Sequence, residues 1–261
     1  MNTPQGPRVR TGTDAGVMTI TLDSPHNRNA LSDQLVDELH AALEAAGDQT
    51  VRSVVLTHTG STFCAGADLK EASSAPVDDP ARARADQLVD LLRAIVALPK
   101  PVLARIDGHV RAGGMGLVGA CDIVLAGDAS TYALTESRLG LAASVISLTV
   151  LPRIDARAAS RWFLTGSTFD VAEAQRIGLV TRAVTSADLD RAVAEVTDEL
   201  GKCSPQGLRE SKALLTHDLL THLDTHRDRV ADQSSRLFAS EEAREGMLAF
   251  REKRLPRWAT T

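Results

Sequence analysis

In the segment 103-LARIDGHVRAGGMGLVGACDIVLAG-127, an apolar run of strand length leads into Gly113, Gly114 and Gly116, and a second run of strand length follows almost at once. Little room is left between the two for a helix, and the residues that must open that helix are glycines. Each glycine inside a helix is worse than alanine by about 0.5–1 kcal/mol. Such a run therefore points to close backbone approach, a ligand or tight packing, and it restricts the fold to one in which strand, short helix and strand succeed each other closely.

The rest of the chain fits that restriction. Residues 16–22 (GVMTITL) read as a strand closed by Ser-Pro. A helix over 32–48 follows, with Ser32 as N-cap and Leu35, Val36, Leu39, Ala42, Leu43 and Ala46 on one face. Residues 52–59 form the next strand, 75–85 lack a strong pattern and only their first part reads as a loop, and Leu88, Leu91, Leu92, Ile95 and Leu98 keep helical spacing up to Pro99. Strands are predicted at 102–107, 121–126 and 131–134. Beyond residue 155 the patterns are helical at 156–164, 171–177, 186–201, 205–220 and 226–251, with one short strand near 179–184. Strands alternating with helices and then a helical tail imply an α/β fold, divided here into a core over 1–195 and a C-terminal helical region over 196–261.

Composition narrows the functional classes. Of 261 residues, 43% are hydrophobic and 24% charged, which excludes disordered and fibrous chains. A formal charge of −5 speaks against a general attraction to nucleic acid. Cys64, Cys121 and Cys203 are odd in number, widely spaced and without metal-ligand spacing, so neither a disulfide framework nor a metal site is expected, and a reducing compartment fits. No run of 18 or more apolar residues and no signal-like start is present, so the expectation is a cytoplasmic protein with no membrane contact.

Two loops carry the candidate chemistry. The first, 63-FCAGADLK-70, follows a strand and holds the small residues Ala65, Gly66 and Ala67. The second, 112-AGGMG-116, also follows a strand and opens a helix, whose first N–H groups lack intrahelical partners and lie at the positive end of the helix dipole. Together they can hold one oxygen that gains negative charge, where each donor is worth about 2.7–4 kcal/mol of transition-state stabilisation. Neither loop follows the usual phosphate-binding patterns.

FCAGADLK, IDGHVRAGGMGL, ACDIVLA, TESRLGL at 135–141, FLTG with FDVAEAQRIGLV at 163–180, and EGMLAFREKR at 245–254 occur in the order seen in the crotonase, or enoyl-CoA hydratase/isomerase, superfamily, which the chain resembles over essentially its whole length. The resemblance implies a spiral of ββα repeats, a helical C-terminal trimerisation region, and a homotrimer or hexamer. It also implies an acyl-CoA thioester as ligand, with coenzyme A as part of the substrate and no metal or redox cofactor. Carried over residue by residue, the N–H groups of Ala67 and Gly113 form the oxyanion hole and Glu136 is the catalytic carboxylate. Ala65, Asp68, Leu69, Lys70, Gly114 and Gly116 line the substrate, and Arg28, Lys70, Phe250 and Lys253 reach coenzyme A.

One departure bears on the reaction. Two-carboxylate hydratases of this family have a Glu three residues after the oxyanion glycine, and that position is Gly116 here. The block at 139–166 resembles the methylglutaconyl-CoA-type hydratase branch, where glycine also occurs at this position, although Ala143 and Leu148 stand where that branch usually shows prolines. Glycine at 116 is expected to leave room for a bulkier or branched acyl chain. Ser144, Ser147, Tyr132, His109 and Arg111 are candidates to orient a water. Three readings stay open: a 2-enoyl-CoA hydratase, a Δ3-Δ2 enoyl-CoA isomerase, and an acyl-CoA-binding member without catalysis.

Overall fold

The structure, a computed structural model, describes residues 6–68 and 79–259. Residues 75–78 of the segment 75–85 lie outside them, as do Leu69 and Lys70. The first hairpin joins β1 (Val9–Asp14) to β2 (Val17–Leu22) in antiparallel register. Its turn residues Ala15 and Gly16 both have positive φ, 46° and 81°, the conformation that matches strand twist in a two-residue hairpin. β1 has no apolar alternation to betray it, because only Val9 of its six residues is buried.

After α1 (Asp33–Ala45), capped by Ser32, the chain repeats a ββα unit. β3 (Ser53–His58) and β4 (Thr62–Cys64) precede α2 (Pro80–Ala97); β5 (Val102–Ile106) and β6 (His109–Arg111) precede α3 (Gly113–Ala120); β7 (Ile123–Gly127) and β8 (Thr131–Ala133) precede the 3-10 turn Glu136–Leu139. The first strand of each pair joins a six-stranded sheet of order β1-β2-β3-β5-β7-β10, where β10 is Arg182–Val184, and the second joins a four-stranded sheet of order β4-β6-β8-β9, where β9 is Phe169–Asp170. Within the repeats every pairing is parallel, so the chain advances one strand per turn in both sheets. The three-residue strands β4 and β6 are not read from the sequence, whereas the equally short β8 is.

The remainder comprises α4 (Ser147–Val150), α5 (Ala156–Thr165), β9 (Phe169–Asp170), α6 (Val171–Arg176), β10 (Arg182–Val184), α7 (Leu189–Gly201), α8 (Pro205–Phe238) and α9 (Glu241–Glu252). Two boundaries differ from the sequence reading. α2 starts at Pro80, with Asp79 accepting from the Arg82 N–H at 2.9 Å, so the helix whose spacing is read from Leu88 begins within the patternless segment 75–85. α8 runs unbroken through 221–225, which contain no glycine or proline, and its buried Leu219, Leu223, Val230 and Ala231 continue one face. The division expected at 195/196 falls inside α7, and α8 adds side chains to the same core as the sheets. Lys212 fixes α8 to the body, pairing with Asp122 at 2.7 Å and donating to the carbonyls of Ile95 and Lys100.

Candidate active site

The smaller sheet brings three segments to one edge. Cys64 of β4 pairs with Val110 of β6, and Arg111 of β6 pairs with Ala133 of β8, in parallel. Parallel strands end on the same side. The loop after β4, the start of α3 after β6, and the turn at Glu136 after β8 therefore emerge next to each other, and the Ala112 N–H donates to Ala133 O at 3.2 Å.

The first loop is held from the chain after β2. Leu31 N–H donates to Gly66 O at 2.8 Å and Leu31 O accepts from Asp68 N–H at 3.5 Å, forming a parallel bridge between Leu31 and Ala67. The central residue of such a bridge turns its own N–H away. Ala67 N–H accordingly has no acceptor among the described residues, and neither does Gly113 N–H in the first turn of α3. Gly66, at φ 87°, lets the two loops touch: a Cβ on it would stand 2.6 Å from Ala112 Cβ and 3.0 Å from Gly113 N. Two unpaired donors thus lie in abutting loops. Ala112 itself holds φ 45° and ψ −120°, a conformation rare for any residue with a Cβ, at the point where the chain enters α3.

Asn29 is a residue that the sequence reading missed. Arg28 and Asn29 both have positive φ, 61° and 53°, and the buried Asn29 Nδ2 donates to Thr59 O at 3.0 Å and Thr62 O at 2.7 Å. Asparagine is among the few residues that tolerate this backbone, so its place in 25-PHNRNALS-32 was the available signal. The bend it makes places Arg28 O to accept from Ala65 N–H at 3.1 Å, with the Arg28 side chain exposed beside the loop. Asp68 accepts from Asn27 Nδ2 at 3.1 Å. Phe250 is exposed on α9, and Lys253 is exposed just past that helix at φ 55°.

Glu136 begins its 3-10 turn with Oε2 shut off from solvent and without a hydrogen-bond partner. Burial disfavours the carboxylate and pushes its pKa up to about 7, opposed only by its own backbone N–H. Cys64, under the first loop, is a poor nucleophile, since burial pushes its thiol up to about 12. Of the candidates for orienting water, Ser147 donates to Ser144 O at 2.5 Å, while His109 and Arg111 both engage Thr131 Oγ1, at 2.9 and 2.8 Å. Tyr132 is buried, stacked on Phe169 at 5.6 Å.

Two glycines of the second loop serve packing. A Cβ at Gly114 would lie 2.8 Å from both Cβ and O of Cys64, so this glycine lets α3 close on β4. The room expected beside Gly116 is filled as well: a Cβ there would stand 2.7 Å from Ile146 Cγ2 and 3.3 Å from Leu92 Cδ1. Gly116→Ala is expected to destabilise the fold by about 1–3 kcal/mol, because Ile146 is buried and its methyl branch has nowhere to go. A urea denaturation midpoint equal to that of the unmodified chain would contradict this packing.

The two-sheet spiral of ββα turns with C-terminal helices is the crotonase fold of α/β proteins. Residues 12–261 match the family model described as enoyl-CoA hydratase/isomerase, and the chain belongs to that family. It is 52% identical to an enoyl-CoA hydratase from Mycobacterium avium, whose crystal structure superposes with a TM-score of 0.90 over 98% of this chain and all of that one (100%). It is 31% identical to mevalonyl-coenzyme A hydratase sidH of Aspergillus fumigatus, over 93% of this chain and 91% of the relative. Carnitinyl-CoA hydratase from Mycobacterium avium shares 27% identity and a TM-score of 0.85, over 97% of this chain and 99% of that chain. Among the described residues no helix is long and apolar enough to cross a membrane.

Proposed function

We propose that this chain adds water to the 2,3-double bond of an enoyl-CoA thioester. The observation that carries the reading is the half-buried Glu136, whose Oε2 is shut off from solvent and whose carboxyl is poised near neutral pH, in the turn after β8 at the sheet edge that also carries the Ala67 and Gly113 donors. In this reading water oxygen bonds to C3 while Glu136 takes one of its protons. The π electrons move through C2 to the thioester oxygen, and the resulting enolate is held by the two N–H groups. Glu136 then returns the proton to C2 as the enolate collapses, so the carboxylate is regenerated and no metal or redox cofactor is called for. Coenzyme A enters as part of the substrate, along Arg28, with Phe250 and Lys253 reaching it. A trimer or hexamer would cover apolar side chains that the single chain exposes, among them Leu214, Leu215, Phe250 and Leu255.

The absence of a carboxylate at 116 favours one second reading, a Δ3-Δ2 isomerase, in which Glu136 takes a proton from C2 of a 3-enoyl-CoA and returns it to C4. Ile146 fills the space beside Gly116, so nothing at that position argues for a branched acyl group such as 3-methylglutaconyl. The relatives are named for different acyl groups, and the substrates to compare include crotonyl-CoA, a 3-enoyl-CoA and 3-methylglutaconyl-CoA. Formation of a 3-hydroxyacyl-CoA supports hydration and migration of the double bond supports isomerisation. Tight binding without turnover overturns both and leaves an acyl-CoA-binding protein.

The pH dependence follows from the same group. As a base, Glu136 must be ionised in the free enzyme, so kcat/KM is expected to rise with pH through a midpoint near 7 and level off above it. Stability runs the other way. A carboxyl whose folded pKa lies above its unfolded value contributes stability while protonated, and that contribution falls as pH rises from the ordinary carboxylate range through about 7. A profile flat between pH 5 and 8 would mean that no base titrating near 7 limits the reaction, and the identity of the base would then rest on Glu136→Gln.

A further inference from the structure

The turn that carries Glu136 is gripped from two sides. On one side it lies against α9 with backbone pressed on backbone. A Cβ at Gly246 would overlap Leu139 O and stand 2.5 Å from Leu139 C and 2.7 Å from its Cα. A Cβ at Gly140, where φ is 72°, would stand 2.6 Å from Glu242 C and 2.8 Å from Ala243 N. α9 is in turn anchored at the neighbour of Gly246: Glu245 accepts from Arg254 Nη1 at 2.7 Å and Nη2 at 3.1 Å, and from Arg257 N–H at 3.0 Å, so the segment after the helix folds back on it. On the other side, Arg138 reaches across the end of α5, its Nε donating to Thr165 O at 2.8 Å and Nη2 to Ser167 Oγ at 3.2 Å, while its stem lies against Gly166.

We propose that Gly246 and Arg138 are positioning residues for Glu136, clamping the 136–139 turn at the depth that keeps its carboxyl enclosed. The proposal rests on the reading of Glu136 as the acid/base. α9 and α5 are the elements packed on this turn. Of their charged groups, Glu245 is taken by Arg254 and Arg257, and Arg161 lies 4.4 Å over the Trp162 ring. Glu241, Glu242, Arg244, Arg251, Glu252 and Arg157 are exposed, and Arg138, on the turn itself, is turned to α5. No charged neighbour shifts Glu136; burial does, and burial is what the clamp controls. Loosening either side lets water reach the carboxyl, while the oxyanion loops, which come from other strands, keep their geometry.

The test uses the full chain and whichever reaction it turns over, crotonyl-CoA hydration or 3-enoyl-CoA isomerisation, measured from pH 4.5 to 9 in Gly246→Ala and Arg138→Ala, with thermal unfolding and sedimentation confirming fold and assembly. In both, the acid midpoint of kcat/KM is expected to move from near 7 toward the ordinary Glu value of about 4.3. kcat should fall at least about tenfold with KM within about threefold. Arg138→Lys, which keeps one donor for Thr165 O, should recover part of the shift. The Arg138 side chain is exposed, so Arg138→Ala decides the question alone if Gly246→Ala does not fold. An unmoved midpoint in folded Arg138→Ala, whatever its rate, overturns the proposal. Glu136→Gln separates the two layers: if it stays active, the acid/base reading has failed, and if it is inactive while the midpoints hold, only the clamp has.

Discussion

Glu136→Gln is expected to lower turnover by about 10²–10⁴-fold while leaving the fold and thioester affinity in place. The amide has nearly the shape of the acid, and the side chain it replaces makes no ion pair whose loss would expose a charge. Stability should be unchanged or slightly higher above pH 7, because the substitution removes the cost of ionising an enclosed carboxyl. Two signals should vanish together, product formation and exchange of the thioester α-proton with solvent, since both pass through the same proton carrier. Retained exchange in a folded Glu136→Gln chain would mean that another group moves the proton.

Gly66→Ala is the second large effect. An alanine at φ 87° is strained by about 1–2 kcal/mol, and its methyl would stand 2.6 Å from Ala112 Cβ and 3.0 Å from Gly113 N. Both neighbours belong to a backbone fixed by α3, so the loops must part. Separation by even an ångström takes one N–H out of hydrogen-bond range of an oxygen held by the other, and losing one such donor costs about 10²–10³ in kcat. Gly12→Ala is the control, since a Cβ there meets nothing within 4 Å. Should Gly66→Ala remain folded and fully active, the paired donors are not where the thioester oxygen sits.

How much of this was legible beforehand differs by residue. Ser32 was readable as an N-cap because its hydroxyl acts within one turn, accepting from Leu35 N–H at 3.3 Å. The faces of α1 and α2 and the apolar strands β3, β5 and β7 were readable for a similar reason: period and composition reflect burial on one side or both. β1 escaped because an exposed strand is defined by its partner. The break wrongly expected between 220 and 226 shows the same limit, since a helix that needs few apolar residues there continues on backbone bonds alone.

At the site, the sequence by itself determined which groups exist. It places small residues after two strands, so that backbone N–H groups are bare, and a single glutamate after a third; the order of these blocks also carries the family. Only the tertiary structure decided what each group does. Gly66, Gly114 and Gly116 are the same residue type within or beside the same two loops, yet the first joins the loops, the second admits Cys64 and the third admits Ile146. Nothing local distinguishes them, because the atom that would fill each missing Cβ comes from a distant part of the chain. The pKa of Glu136 is set in the same way: the carboxyl is local, but the burial that lifts it to about 7 exists only in the folded chain.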